Sequence, residues 1–302
     1  MDSERARYQA VGGSGPSSPT PSGPIVEATV ELGALKALLK GQRTSVLTGA
    51  GCSTESGIPD YRGPQGSLKK RSPIRYQEFM KDAEARKRYW ARSAVGWARF
   101  AQAQPNAGHR ALAQLEAAGV VTGVVTQNVD GLHGKAGSAR VVELHGSLHR
   151  VRCRPCGHTL GREDFQRELF ELNPESTTWG AELAPDGDAE LSPAHVAQFR
   201  VPPCPACGGI LKPDVVFFGE NVPLPTVEAA RALVTDADVL LVVGSSLEVF
   251  SGFRFVRAAA EKGMPIALLN LGPTRGDALA TLRIERAAGE ALTELAQALA
   301  GA

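Results

Sequence analysis

An excess of charge of one sign is what this 302-residue chain lacks: 33 lysines and arginines stand against 32 aspartates and glutamates. Without a broad positive field it has no means of holding nucleic acid or an anionic membrane, and neither is expected as a partner. Long apolar runs are absent too. Nothing approaches the roughly 20 residues needed to span a bilayer, and the N-terminus has none of the charged and apolar blocks of a secretory signal. These absences imply an intracellular protein, cytoplasmic or, in a eukaryote, of the mitochondrial matrix; Asp2 and Glu4 weigh against a transit peptide. Aromatic residues amount to only 6%, which together with the neutral charge counts against a nucleic-acid-binding zinc ribbon. Cysteine is scarce, at five residues, yet four of them fall into two Cys-x-x-Cys pairs, Cys153 with Cys156 and Cys204 with Cys207. In a reducing compartment such pairs hold metal more often than they form disulfides. Cys52 stands apart and reads as a small packing residue.

What is present is an ordinary apolar content, 43%, enough for a sizeable core. Residues 12–24 are all Gly, Ser, Pro or Thr and cannot bury enough surface to offset the entropy of ordering them, so residues 1–24 are expected to form a disordered tail. Beyond them, helical patterns alternate with short apolar runs, the signature of a parallel sheet covered on both faces. Strands are expected near 44–48, 121–126, 239–243 and 265–270. Helices are expected near 29–39, 78–103, 107–118, 225–235, 253–261 and 289–299, with Asn106 as N-cap and Gly119 at C′ of the third. The alternation stops between about 148 and 215, where the cysteine pairs bracket a polar, turn-rich stretch. The expected fold is α/β: a Rossmann-like parallel sheet with helices on both faces (25–147 and 216–302) plus a small inserted zinc-binding domain (148–215).

The chemistry-bearing residues sit where the strands end. Thr48-Gly49-Ala50-Gly51-Cys52-Ser53 follows the strand 44–48; glycines there let a backbone approach a pyrophosphate, although Thr54 takes the place of the third glycine of the dinucleotide fingerprint, and a tight structural turn has the same composition. Ile58-Pro59-Asp60-Tyr61-Arg62 has the content of a loop that could cover a nucleotide. Gln127-Asn128-Val129-Asp130 follows the strand 121–126 and could bond a ribose or a carboxamide, or form an Asx turn. His145-Gly146 offers an imidazole able to take a proton from a sugar hydroxyl, with the glycine leaving room for a substrate. Gly244-Ser245-Ser246 and Asn270-Leu271-Gly272 are further polar turns at strand ends. Four thiolates from two knuckle turns, each followed by a glycine (Gly157, Gly208), match a closed structural zinc site.

Taken in order, Gly49-Ala50-Gly51, Ser56-Gly57-Ile58-Pro59-Asp60-Tyr61-Arg62, Gln127-Asn128-Val129-Asp130, His145-Gly146, the paired cysteines and Gly244-Ser245-Ser246 resemble the sirtuins over about residues 29–299. Within that family the chain is most similar to the sirtuin 4-like branch and its bacterial relatives, through Arg88-Tyr89-Trp90-Ala91-Arg92, Leu183-Ala184-Pro185-Asp186-Gly187-Asp188 and the run from Leu211 to Gly219. The resemblance implies an NAD-dependent protein-lysine deacylase releasing nicotinamide and O-acyl-ADP-ribose, with protein ADP-ribosyl transfer as the alternative. It implies His145 and Asn128 as catalytic residues and one structural zinc ion on Cys153, Cys156, Cys204 and Cys207. NAD contacts would come from Gly49, Ala50, Gly51, Ser53, Asp60, Tyr61, Arg62, Gln127, Asn128, Asp130, Gly244, Ser245, Ser246, Asn270, Leu271 and Ala288. Tyr89, Arg92, Val215 and Phe217 would meet the acylated lysine, the first two as a grip for an acidic acyl group or an ordinary charged helix face.

Overall fold

The strand β1 (Thr44–Thr48) is buried along its whole length, and the fold is organised around it. A computed structural model describes residues 28–60, 73–179 and 191–300. The expected tail at 1–24, Tyr61, Arg62 and the run 183–188 lie outside the described residues. Helix α1 (Ala28–Leu39) precedes β1; α2 (Tyr76–Lys81), α3 (Ala83–Gln102) and α4 (Ala107–Ala117) lead to β2 (Val121–Thr126). After α5 (Leu132–Lys135) and β3 (Val141–Glu143) come β4 (Gly146–Cys153), β5 (Thr159–Gly161), α6 (Arg162–Leu172), α7 (Pro193–Gln198) and β6 (Leu211–Val215). The chain closes with α8 (Leu224–Thr235), β7 (Val239–Val243), α9 (Phe250–Glu261), β8 (Ile266–Leu269), β9 (Leu282–Ile284) and α10 (Ala288–Leu299).

The large sheet runs β3-β2-β1-β7-β8-β9, and every pair in it is parallel. The first three strands build outward from β1 in one direction and the last three in the other. The chain therefore reverses its direction of travel across the sheet between β1 and β7, the switch point at whose carboxyl ends such sheets bind ligands. Successive strand residues serve opposite faces. Val46, Val124 and Leu241 pack with Leu35, Leu112 and Leu292 from α1, α4 and α10, while Leu47, Val125 and Leu240 pack with Leu233 and Val256 from α8 and α9. Burial on both faces is why β7 and β8 read as unbroken apolar runs, whereas β1 and β2 also bury Thr44, Ser45, Thr48 and Thr126.

A second, antiparallel sheet runs β5-β4-β6. Its core includes Val151, Cys153, Phe165, Leu169, Cys204 and Leu211, and it is completed by Phe79, Trp90, Ala91 and Ala94 from α2 and α3. The helix expected at 78–103 is two helices. Asp82 stands between them in extended backbone (φ −106°, ψ 116°) and its side chain accepts the Glu84 amide as the N-cap of α3; a short acid that bonds the backbone locally favours a cap over a helix interior. The cap expected at Asn106 is present as a capping box with His109, and Gly119 takes the left-handed conformation (φ 76°) expected of a C′ residue. No helix among the described residues is long and apolar enough to cross a membrane.

Candidate active site

The turns after β1 and β7 are nested back to back. Gly51 donates its amide to the Gly244 carbonyl at 2.8 Å. A Cβ on Gly49 would lie 2.7 Å from Ser245 Cβ, and one on Gly51 would lie 2.9 Å from the Gly244 carbonyl oxygen. Gly244 adopts φ 59°, and a Cβ there would strike the Cys52 amide. The sequence suggested that these glycines open space for a pyrophosphate; at Cβ level that space is filled by the opposing turn, so their first duty is to let the two turns meet. Three residues past Gly244, Leu247 is the only non-glycine with positive φ (58°) among the described residues. It is held there by burial and by the Ser245 hydroxyl, which accepts its amide at 3.2 Å. Such strain costs on the order of 1–3 kcal/mol and collects at functional loops.

The loop after β2 ties itself to both turns. Asn128 Nδ2 donates to the Gly49 carbonyl and to Ser53 Oγ, each at 3.0 Å. Ser53 in turn donates to Asp130 Oδ2 at 2.7 Å, and Asp130 Oδ1 accepts the Leu132 amide at 2.9 Å. Gln127 Nε2 donates to Ser245 Oγ at 2.8 Å. Ser53, Asn128, Asp130 and Ser245 are buried, so this is a preformed polar framework whose members fix one another.

His145 lies between β3 and β4. Its Nδ1 is 2.9 Å from the Gln127 carbonyl oxygen, and since a carbonyl only accepts, the proton is on Nδ1. The lone pair is thereby left on Nε2, which faces Ser251 Oγ at 2.7 Å. Burial pushes the imidazole below its usual pKa, the Gln127 bond opposes this, and Arg254 adds to it. The neutral ring expected near pH 7 is the form that accepts a proton. Through Gln127 and its neighbour Asn128, this imidazole is one residue removed from the contact with Gly49. Gly146, with φ 77°, does not leave room for a substrate: a Cβ there would strike the Asp214 carbonyl of β6. The glycine lets β6 run beside the histidine, and Val216 donates its amide to the His145 carbonyl at 2.8 Å.

That arrangement carries Val215 and Phe217, both buried, past the imidazole. Phe217 meets the ring of Tyr89 at 5.3 Å, and Tyr89 also packs against Phe79 at 5.5 Å. Arg92, one helical turn further along α3, is half-buried. On the far side of the crevice Asn270 uses Nδ2 to bridge the Leu271 and Gly272 carbonyls at 3.0 Å. Leu271 is 67% exposed, an apolar side chain standing free at the end of β8, and Ala288 opens α10. Ala50, Ser246 and Asp60 are partly buried, and the segment reaching Asp60 borders a cavity of about 660 Å³ lined by Ile58, Pro59, Phe100 and Asn106, within the size range of ligand pockets. Sequence reasoning missed Ser251 and Gly252, because the apolar periodicity of α9 becomes plain only at Phe253.

The four paired cysteines converge. All four sulfurs lie within 4.8 Å of one another, with Cys153 to Cys207 at 3.5 Å and Cys156 to Cys204 at 3.8 Å. A tetrahedral zinc with bonds of about 2.3 Å sets its sulfurs about 3.8 Å apart, whereas a disulfide would need about 2.05 Å. Each pair sits in a knuckle: Gly157 (φ 75°) donates to the Cys153 carbonyl at 3.0 Å and Gly208 (φ 72°) to the Cys204 carbonyl at 2.8 Å. The donor set fits a closed structural zinc ion. A second grouping, Cys52 with His109 and His133, also brings its ligand atoms within 4.8 Å. Here His109 Nδ1 accepts the Asn106 amide at 3.3 Å, which leaves its proton on Nε2 beside Ser53 Oγ. Burial pushes the Cys52 thiol up and both imidazoles down, His133 to about 3. With no lone pair to spare on His109, this cluster is neutral packing beneath the glycine turn.

Comparison with known proteins agrees with this architecture. The Sir2 family matches residues 49–251. NAD-dependent protein deacetylase 1 of Streptomyces coelicolor is 53% identical over 280 residues, covering 93% of this chain and 94% of its own length. The NAD-dependent protein deacetylase of Xanthomonas axonopodis pv. citri is 56% identical over 254 residues, covering 84% of this chain and 87% of its own. Among solved structures, one described under the mechanism and regulation of Sir2 enzymes superposes with a TM-score of 0.72 at 31% identity, over 89% of this chain and 98% of that one. A Sir2 complex with a p53 peptide and NAD+ superposes with a TM-score of 0.66 at 31% identity, over 87% and 95%.

Proposed function

Because the chain belongs to the Sir2 family, we propose that it is an NAD-dependent protein deacylase that frees acylated lysine side chains and yields nicotinamide and O-acyl-ADP-ribose. The observation that carries this reading is the state of His145: a neutral imidazole, its proton committed to the Gln127 carbonyl in the turn after β2 and its basic Nε2 engaged only by the Ser251 hydroxyl, which a substrate hydroxyl can displace. Those turns supply the cofactor contacts. Gly49, Ala50, Gly51, Ser53, Gln127, Asn128, Asp130, Gly244, Ser245 and Ser246 serve the centre of the crevice, Asp60 serves its edge, Asn270, Leu271 and Ala288 take the adenosine end, and Tyr61 and Arg62, outside the described residues, are assigned to the cofactor from the sequence resemblance alone. Exposed Leu271 suits an apolar base, and the amides and hydroxyls of 127–130 and 245 suit ribose and carboxamide. When bound, NAD supplies a glycosidic bond whose cleavage develops positive charge on the sugar. A crevice of fixed dipoles that excludes water favours that charge. Asn128 ties the turn after β2 to that after β1 through Ser53 and Gly49, and His145 would accept the proton of a ribose hydroxyl at Nε2.

The division that suits this function is a cofactor-binding lobe of 25–147 and 216–302 and a zinc-binding lobe of 148–215, with α2 and α3 lending their buried faces to the second. The zinc ion holds the lobe in shape and activates no water, because four thiolates leave no open position. The substrate is a protein carrying an acylated lysine, which enters past Val215 and Phe217. Tyr89, against Phe217, and Arg92, three residues on, support a preference for an acidic acyl group. The bacterial relatives support a cytoplasmic setting.

Mass spectrometry of the products formed from NAD and acyl-lysine peptides tests the function. The expected result is free lysine with one acyl-ADP-ribose per nicotinamide, whereas peptide carrying ADP-ribose would instead establish the transferase reading. In the same assay Arg92→Met is expected to lower turnover of succinyl or glutaryl peptides by roughly ten- to a hundred-fold, the worth of a charge-assisted hydrogen bond, with acetyl peptides little affected. Equal losses on both kinds of peptide would remove Arg92 from the acyl pocket.

A further inference from the structure

The first turn of α9 touches the candidate base directly. Ser251 Oγ lies 2.7 Å from His145 Nε2, and the Nδ1 end of the same ring is tied to the Gln127 carbonyl at 2.9 Å. The imidazole is thus held at both nitrogens, by a carbonyl that can only accept and by a hydroxyl that can donate. With Nδ1 protonated, the Ser251 O–H points at the Nε2 lone pair.

The turn that presents Ser251 is itself firmly seated. Phe253, Phe255 and Val256 of α9 are buried in the core beneath the sheet, and the Gly252 and Phe253 amides close on the Val249 carbonyl at 3.1 and 3.2 Å. Close approach to the site is secured by Gly252, where a Cβ would strike Gln127 Oε1. Gln127 is the residue whose carbonyl holds His145 and whose amide holds Ser245, so Gly252 and Ser251 press on two halves of one assembly.

We infer that Ser251 is a positioning residue for His145: its hydroxyl fixes the ring so that the Nε2 lone pair is presented in one orientation to the ribose hydroxyl that will replace it. The inference rests on the reading of His145 as the base. Without the hydroxyl the ring is pinned only at Nδ1 and is free to swing about that bond. Ser251 takes no proton of its own and needs no contact with substrate.

Three variants test it: Ser251→Ala, Ser251→Thr and His145→Asn. Nitrogen-15 spectra of histidine-labelled, NAD-free protein read the ring directly. Ser251→Ala is expected to move the Nε2 resonance of His145 toward that of a nitrogen without a hydrogen bond, with Nδ1 still protonated, and Ser251→Thr is expected to retain the native position. In turnover, Ser251→Ala is expected to lower kcat/KM for NAD, which is referred to the free enzyme, by about fivefold, the worth of one hydrogen bond of about 1 kcal/mol, with KM for the peptide unchanged and Thr restoring the rate. A native kcat/KM for NAD in Ser251→Ala, an unmoved Nε2 resonance, or a lowered kcat/KM that Thr does not restore would each overturn the assignment. His145→Asn separates the two claims. If it is inactive while Ser251→Ala turns over normally, only the role of Ser251 falls; if it keeps native turnover, the base itself has been misassigned.

Discussion

Replacing His145 by Asn should lower turnover of an acetyl-lysine peptide by roughly a hundred- to ten-thousand-fold, the usual contribution of a positioned general base, while the affinity for NAD measured by calorimetry stays within a few-fold of native. The asymmetry follows from the geometry. The framework of Gly49, Ser53, Asn128, Asp130 and Ser245 is bonded to itself and needs His145 for none of its contacts. An asparagine amide can still donate to the Gln127 carbonyl, but offers no basic nitrogen. The pH profile carries the same signature. Burial is the largest influence on this imidazole and pushes its pKa down, so proton uptake by the free enzyme, and with it the acid limb of kcat/KM, should fall below the ordinary histidine value of about 6.5. An acid limb at or above that value would mean that the titrating group is exposed and is not this residue.

The second large effect belongs to the zinc site. Cys153 and Cys204, two of the four thiols placed to hold the ion, are also members of the small lobe's buried core, so losing the ion should loosen that core from within. Structural zinc contributes on the order of 10–16 kcal/mol of binding energy to small zinc-finger peptides at neutral pH, more than a lobe of this size can replace by packing. Cys153→Ser, or exhaustive chelation, should therefore abolish activity by more than about a hundred-fold and strip hydrogen-exchange protection from β4, β5, β6 and α6. Strands β1, β2, β7 and β8 should keep theirs, since the clusters on the two faces of that sheet contain no zinc ligand. Activity should go with the lobe because β6 carries Val215 and runs beside Gly146. A metal-free protein with native turnover would show that the ion is dispensable to the site.

Much of this architecture was legible in the residues. Strands β1, β2 and β7 announced themselves to the residue because burial on both faces leaves short runs of apolar and β-branched side chains with no charge among them. The cysteine pairs were equally plain, since metal ligation demands a fixed spacing that packing does not. Asn106 and Gly119 marked the ends of α4 because caps use side-chain chemistry that helices avoid. The misses have equally physical reasons. Strands β3 and β9 are three residues each, too short for a period to show. The break at Asp82 was hidden because the apolar face continues across it from Phe79 to Trp90, and only the cap bond to Glu84 interrupts the helix. Gly49, Gly51 and Gly146 stood out, but sequence could not tell a glycine that makes room for a ligand from one that makes room for another strand-end turn or for β6. Ser251 was invisible because its importance lies in the residue opposite, 106 positions away.

All of this depends on four separate strand-end turns serving one dinucleotide. Hydrogen exchange of the native protein with and without saturating NAD tests that most directly. The account predicts that residues 48–53, 126–130, 243–247 and 269–272 gain protection together. Protection confined to one of these turns, or none at all under conditions where NAD is consumed, would contradict it.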